Sequence, residues 1–444
     1  MDYRKKLGAW LAMGMLAMVP GPLRAADVPA AAANTNVRPT TGEWPQWRGP
    51  NRDNISSETG LLKQWPAAGP PLAWKATDMG EGFSGVSVAD GHIYTLGYSS
   101  GSTYIIALDM AGKHLWKTKI GSGDVGGGSR PGPRATPTVD GDRVYAMDEV
   151  GNLACLKTAD GKEVWHLNMR RDLGGEVMSG WGFAESVLVE GDNVLCTPGG
   201  RQGSVAALNK MTGKVVWRCK QLTEPTTYAS LVPADFGGTH QYVVLLVDHV
   251  AGVGADGTLL WQAQRHGATA IIPTPVVHDD MVYVTSGYNI GCNCFRISGS
   301  GSAFKAEQLY ASKDMAVQHG GVVQLNGYVY GFSDMQRGIL VCMELKTGKV
   351  VWKDKSVLRD GANGSKGSLT CADGKLYVRS EGSESGATCT VGLVEATPAG
   401  YHELGKFNQP DRSHKASWSH PVVADGKLFL RDQDVLLCYD IKSK

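Results

Sequence analysis

Arg130 and Arg134 in "GGGSRPGPRATPTV", Trp181 and Glu185 in "MSGWGFAESVLV", Tyr228 in "PTTYASLV", His319 in "AVQHGGVVQL", Lys366 in "GANGSKGSLTC", and Trp418 and His420 in "RSHKASWSHPVV" are the residues whose types could do chemistry. Each stands in a phrase that leads straight into a short apolar run. Brought together, these cations, carboxylate, imidazoles and aromatic rings suit an anionic or sugar-like ligand, because charge-assisted hydrogen bonds orient it and aromatic faces cover it. With Glu185 or His319 as a general base, the same set would serve an enzyme. Alternatively, such groups only satisfy backbone ends and hold water. They act together only if folding gathers separated phrases, so the elements that carry the phrases decide.

Those elements are repeats. "ALDMAGKHLW", "CLKTADGKEVW", "ALNKMTGKVVW", "GVGADGTLLW" and "CMELKTGKVVW" end at Trp116, Trp165, Trp217, Trp261 and Trp352, each four residues after Gly112, Gly161, Gly213, Gly257 or Gly348. An alternating strand, a glycine able to take φ > 0 and a β-branched strand ending in a large aromatic predict a β-hairpin. Upstream of the hairpins, Asp-Gly-type turns lead into apolar strands, as at Asp90-Gly91, Asp140-Gly141, Asn326-Gly327, Asp373-Gly374 and Asp425-Gly426. With looser copies, these make eight units of about 40 to 50 residues, which predicts an all-β, eight-bladed β-propeller of four-stranded antiparallel blades. In a propeller the phrases above converge on the axis at one face.

The ends of the chain supply a closure. The last unit stops at "LLCYDIKSK" without its fourth strand, and "PPLAW", ending at Trp74, precedes the first complete unit. An N-terminal strand is therefore expected to complete the last blade and remove the exposed edges. Two units lack the tryptophan: Leu404 stands four residues after Gly400, and "SGSGSAFKAEQLY" is a degenerate hairpin.

The extreme N-terminus, with Arg4, Lys5 and Lys6 ahead of an apolar run from Leu7 to Val19 and then Ala25 and Ala26, reads as a signal peptide over residues 1–26. A flexible leader is expected at 27–43 and a single propeller domain at 44–444, periplasmic or secreted, with no transmembrane segment and as a monomer. With 44 Lys+Arg against 43 Asp+Glu, the chain shows no basic excess, which argues against nucleic acid as a partner.

Of the nine cysteines, Cys155, Cys342 and Cys438 share a hairpin slot with Ala107 and Ala207 and read as buried fillers. Cys292 and Cys294 form the one close pair, without a second Cys/His pair at zinc spacing. No P-loop, His-Glu-x-x-His, Gly-x-Ser-x-Gly or Cys-x-x-Cys-His occurs.

The "ALNKMTGKVVW" phrase, with "DGKLYV" ahead of it, resembles the repeat of the PQQ-like β-propeller superfamily, which includes both pyrroloquinoline-quinone (PQQ) alcohol dehydrogenases and the assembly scaffold BamB. "WPQWRGPNRDN", from Trp44 to Asn54, is similar to the opening of secreted PQQ-like repeat proteins. The resemblance implies that Trp74, Trp116, Trp165, Trp217, Trp261 and Trp352 dock each blade onto its neighbour. It also implies, for quinone-dependent members, a vicinal cysteine pair and a Glu, Asn and Asp calcium set. This chain has no Cys-Cys dipeptide, and only Glu185 stands where a metal-binding Glu would. The resulting expectation is an exported scaffold that binds a protein partner or small ligand, without PQQ and without metal. The alternatives are a PQQ- and calcium-dependent oxidoreductase and a carbohydrate lyase or hydrolase.

Overall fold

The structure, a computed structural model, describes residues 42–122, 130–334, 338–357, 366–382 and 388–443, together with the backbone of 359–360 and 363–364. The signal peptide and nearly all of the leader lie outside the described residues. Eight blades of four antiparallel strands follow one another around an axis, each running from a short inner strand to an outer edge, and one blade takes on a fifth, parallel strand at its inner side. Blade 2, for example, comprises Thr138–Asp140, Arg143–Met147, Asn152–Lys157 and Glu163–Asn168. The one helix among the described residues is Met169–Leu173, capped by the Asn168 side chain. No described helix is long and apolar enough to cross a membrane.

Ring closure follows the sequence expectation. Leu72–Ala76 pairs antiparallel with Val435–Asp440, placing Trp74 opposite Cys438, so the eighth blade is built from both ends of the chain. The outer strands of the hairpins carry a bulge just past the tryptophan's partner, as between Ala207 and Leu208 in blade 3. That extra residue gives the outer strand a local twist.

Cores lie between blades rather than within them. Tyr145, Cys155 and Trp165 of blade 2 share one cluster with Val194, Cys196 and Leu208 of blade 3. Trp44, Phe429 and Cys438 pack with Ile93, Ile106 and Leu108 where blade 8 meets blade 1. The tryptophans sit at these seams. Trp74, Trp116 and Trp165 donate from Nε1 to carbonyl oxygens of the next blade, at Met110 (2.9 Å), Thr158 (2.8 Å) and Lys210 (2.9 Å). Trp352 donates likewise to Thr397 O at 2.9 Å. Each of the first three rings also lies on the next blade's turn glycine, a contact that only a residue without Cβ allows.

Four seams depart from this pattern. Trp217 lies on Gly257 of blade 4, but its indole N–H is buried without a partner. Trp261 shares a cluster with Val282 and Phe295 of blade 5, yet its Nε1 donates to Gln241 of its own blade at 2.5 Å. In the fifth unit the hairpin is not degenerate in space: Gly291–Ser300 and Ala303–Ser312 are the longest strand pair of the ring. Tyr310 takes the tryptophan's place there, with its ring on Gly348 and its hydroxyl donating to Leu345 O at 2.7 Å. At Leu404 the missing ring is supplied by Trp65 from the N-terminal segment, which packs edge-on against Tyr377 and Phe407. Both losses of the repeat tryptophan are thus met by another aromatic.

All nine cysteines are buried and unpaired. Cys155, Cys342 and Cys438 fill seams as expected. Cys292 and Cys294 sit in a blade 5 core cluster beside Tyr283.

Candidate functional site

The phrase "WPQWRGPNRDN" does not lie on the outside of the ring. It enters the axial channel, turns within it and leaves as Ile55–Ser56, paired in parallel with the inner strand of blade 7. Its path is held by polar contacts to the inner strands or the loops before them. Trp44 bridges Val88, Pro45 O accepts from Val139 N, and Trp47 Nε1 donates to Thr274 Oγ1 at 2.9 Å. Arg48 Nη2 donates to Val322 O at 2.7 Å. Arg52 donates to Ser186 O at 2.6 Å and Val187 O at 3.1 Å, and the Asn54 amide bonds Leu369 O. Burial lowers both guanidinium pKa values to about 10, so each cation remains ionised at neutral pH. The channel is therefore plugged by the chain itself.

Above the plug lies a blind cavity of about 100 Å³, with Trp47 among its lining residues. Six of the residues singled out in the sequence line it: Arg130, Arg134, Trp181, Tyr228, His319 and Trp418. Phe83 stacks on Trp418 with ring centroids 4.2 Å apart. The guanidinium of Arg130 lies over Trp418 at 4.9 Å and that of Arg134 over Phe83 at 5.6 Å, so the two cations are spread on one aromatic pair. Arg134 also donates to the carbonyls of Gly132 and Arg130, at 2.7 and 3.0 Å. Trp418 Nε1 donates to Glu381 at 2.6 Å, which fixes its ring. Across the cavity Trp181 tilts against Tyr228 at 6.1 Å, and the Tyr228 hydroxyl is bonded to Ser179. Gln318 bonds the Tyr288 hydroxyl at the same wall.

His319 is only 7% exposed, and neither ring nitrogen has a hydrogen-bond partner within the protein. Burial pushes its pKa down to about 4, with Glu381 opposing and Lys366 and Arg130 assisting, so the imidazole is neutral at neutral pH. The neutral ring keeps one N–H donor and one acceptor nitrogen, both buried.

The other three sequence candidates are elsewhere. Glu185 is buried with its carboxyl turned away: Oε2 accepts from Thr197 N and Oγ1, both at 2.6 Å, and Oε1 is unpartnered. Its neighbours Ala184 and Ser186 line the cavity instead, as the two-residue alternation of an extended chain requires. Burial raises the Glu185 pKa to about 7, against the Thr197 bonds and the Arg52 charge. His420 lies one layer deeper, its ring tilted against Trp47 at 4.6 Å and bonded through Nε2 to His319 O at 3.0 Å, so that it supports the cavity floor. Lys366 does not line the cavity; its charge acts on His319 and on Asp334. The sequence reading missed Phe83, Trp47, Tyr288 and the plug arginines. Arg48 and Arg52 carry a visible signal, being two cations without repeat partners at the point where the propeller begins.

No Asp or Glu is among the described residues that line the cavity, and no described group of His, Cys, Asp or Glu is arranged to hold a metal ion. A calcium ion needs several oxygen ligands with carboxylates among them, and this lining does not fit one. Cys292 opens onto a different groove, beside Arg265 and Lys313, and so does not lie beneath the axial cavity.

The closed ring of eight blades, its channel plugged by the chain itself, defines the class as an eight-bladed β-propeller. The chain belongs to the PQQ-like β-propeller family whose model is described as outer membrane protein assembly factor BamB, matched over residues 101–354. A curated relative from Nitrosomonas eutropha, named outer membrane protein assembly factor BamB, is 26% identical over 223 residues, covering 41% of this chain and 53% of the relative. The chain thus spans about half the length of the curated relative it matches. Among solved structures, BamB from Moraxella catarrhalis superposes with a TM-score of 0.57 at 14% identity, over 84% of this chain and 98% of that one. Quinohemoprotein alcohol dehydrogenase from Comamonas testosteroni superposes with a TM-score of 0.62 at 12% identity, over 91% and 81%. At such identities the likeness is one of fold alone.

Proposed function

We propose that the chain is an exported binding propeller that engages a small anionic ligand, or the matching group of a protein partner, in its axial cavity, and that it works without PQQ or metal. The observation that carries this reading is the cavity wall: two arginines laid on stacked aromatic rings, and a buried neutral histidine with two unpartnered nitrogens. Cationic groups at a largely aromatic concave surface favour anion capture. The relatives named for outer membrane protein assembly support a scaffold role, and the N-terminal sequence supports export.

Neither catalytic alternative finds its groups at the cavity. Glycoside hydrolysis calls for a pair of carboxyl groups flanking the bond, and the described lining supplies none. The quinone alternative shares the flat, anionic character of the ligand but not the calcium donors.

The experiment is to add PQQ with Ca²⁺, and separately a panel of small anions, to the purified mature protein while following melting temperature and dye-linked alcohol oxidation. Stabilisation by an anion without dye reduction is the expected result. Dye reduction that depends on PQQ and Ca²⁺ would overturn the reading.

A further inference from the structure

A second concave surface lies away from the axis, where blade 4 meets blade 5. It is an open groove of about 520 Å³, bounded by the end of the outer strand Leu259–Gln264, the turn before Gly291–Ser300 and the end of Ala303–Ser312. Its described lining contains Arg265, His266 and Lys313 but no Asp or Glu. Arg265 is 3% exposed, and its bonds all go to uncharged groups: Nη1 donates to Ser286 Oγ at 2.7 Å, Nη2 to Gly291 O at 3.1 Å and Nε to Asn293 Oδ1 at 3.4 Å. Burial lowers its pKa to about 10 and no carboxylate offsets this, yet it stays a cation at neutral pH. Lys313 is exposed and has no ion-pair partner among the described residues. The two carboxylates that border the groove are engaged: Asp248 is bonded to His266 Nδ1, and Asp314, next in sequence to Lys313, is paired with Lys353 at 2.6 Å.

The turn 287–291 is the wall between this groove and the axial cavity: Tyr288 lines the cavity, whereas Asn289 and Ile290 line the groove. Tyr288 and Asn289 sit at φ 56° and 65°, left-handed conformations that a side chain adopts at a cost. Backbone strain of that kind gathers at ligand sites. Here it sets Asn289, exposed and without a hydrogen-bond partner among the described residues, at the groove.

We infer that the groove between blades 4 and 5 binds a doubly charged tetrahedral oxyanion, supplied by free phosphate or sulfate or by a phosphate monoester, between Lys313, Asn289 and the buried charge of Arg265. Two cations without a carboxylate partner call for two negative charges, which phosphate or sulfate carries on one group and a carboxylate does not. A charge buried without a counter-charge costs stability, and an anion in the groove offsets that cost for Arg265. The three bonds of Arg265 leave two of its five guanidinium N–H groups uncommitted. This site is separate from the axial cavity and stands whether or not that cavity binds.

The test is calorimetric titration of the mature protein at low ionic strength, where surface charges are least screened, with inorganic phosphate, sulfate, glycerol phosphate and acetate as probes. At least one of the three phosphate or sulfate probes is expected to show a binding event that Lys313→Gln weakens about five-fold and Lys313→Glu abolishes. Acetate, with one charge, is expected to show that event about ten-fold more weakly. Arg265→Gln is expected to weaken it about ten-fold, and Arg265→Lys, which keeps the charge, to retain part of it. Melting temperatures show which variants are folded, and if the Arg265 variants are not, the exposed Lys313 pair decides. Tighter binding of the inorganic ions marks a free anion as the ligand, and tighter binding of glycerol phosphate marks an ester. Ala184→Trp, placed in the wall of the axial cavity, is expected to leave the event unchanged. No binding by any of the three, binding that survives Lys313→Glu, or acetate bound as tightly as they are would overturn the groove assignment and leave the axial reading untouched. Binding lost in Ala184→Trp would also overturn it, by placing the anion in the axial cavity.

Discussion

Trp165 of blade 2 lies so close on Gly213 of blade 3 that a Cβ added to that glycine would stand 2.7 Å from Trp165 Cε3, while the indole N–H reaches past it to Lys210 O at 2.9 Å. Gly213 also sits at φ 69°, where a side chain is strained. The two residues are one joint. Gly213→Ala is expected to cost about 1–3 kcal/mol and Trp165→Ala about 3–5 kcal/mol in urea unfolding. The double variant should cost clearly less than the sum, because both changes break the same contact. Additive losses would show that the ring and the glycine act independently.

The plug is expected to stabilise the ring. Arg52 is 1% exposed and caps two backbone carbonyls at the start of blade 3 as well as Gln46 Oε1. Arg52→Met removes the donors to Ser186 O and Gln46 Oε1, with Val187 O keeping its bond from Thr138 Oγ1, and should cost about 2–4 kcal/mol, against less than about 0.5 kcal/mol for Arg201→Met at an exposed turn. Equal denaturation midpoints for the two variants would contradict the plug's role.

At the blade 5 seam, Tyr310→Phe removes the hydroxyl that donates to Leu345 O and should cost about 1 kcal/mol with the ring contact retained. Tyr310→Ala should cost several times more by the same unfolding measurement, since the Gly348 contact is lost as well.

Acid should expose the buried imidazoles. His319 and His420 are held near pKa 4 and 3 in the fold, chiefly because burial disfavours the charged ring, against an ordinary value of 6.5 in the unfolded chain. As pH falls below 6.5 the unfolded chain takes up protons that the fold refuses, so stability is lost down to about pH 4 for His319 and on to about pH 3 for His420. Glu149, Glu185 and Asp334, raised to about 7 mainly by burial, act in the opposite sense. The fold keeps their protons while the unfolded chain ionises, so they remove stability as pH rises from about 4 to about 7. Comparing unfolding free energies near pH 7 and pH 5, His319→Gln should lose about 1–2 kcal/mol less than the wild type. An identical loss in both proteins would place the titration elsewhere.

The ring was legible in the sequence because its elements are local and repeated: a glycine with a tryptophan four residues later marks five of the hairpins, and the unpaired "PPLAW" identified the closing strand. The plug was not, since the partners that hold Arg48, Arg52 and Asn54 to the ring lie 134 to 315 residues away and its own residues follow no period. Within the site, Trp181, Tyr228, His319 and Trp418 were found because they stand in loops that converge on the axis. Glu185 was misplaced by one step of alternation: the residues on either side face the cavity, and it faces Thr197. Phe83 escaped notice because a lone aromatic in "GEGFSGVSV" reads as core until its stacking on Trp418 is seen.

The axial cavity as the place of binding is tested most directly by filling it. Ala184 lines the cavity, and Ala184→Trp would occupy the space while leaving the plug arginines and the seam tryptophans in place. Melting temperatures of the wild type and Ala184→Trp should be compared with and without a panel of glucuronate, galacturonate, glucose and PQQ. At least one anionic member is predicted to raise the wild-type value by several degrees, and none to raise that of the filled variant. Equal stabilisation of both proteins would contradict the account.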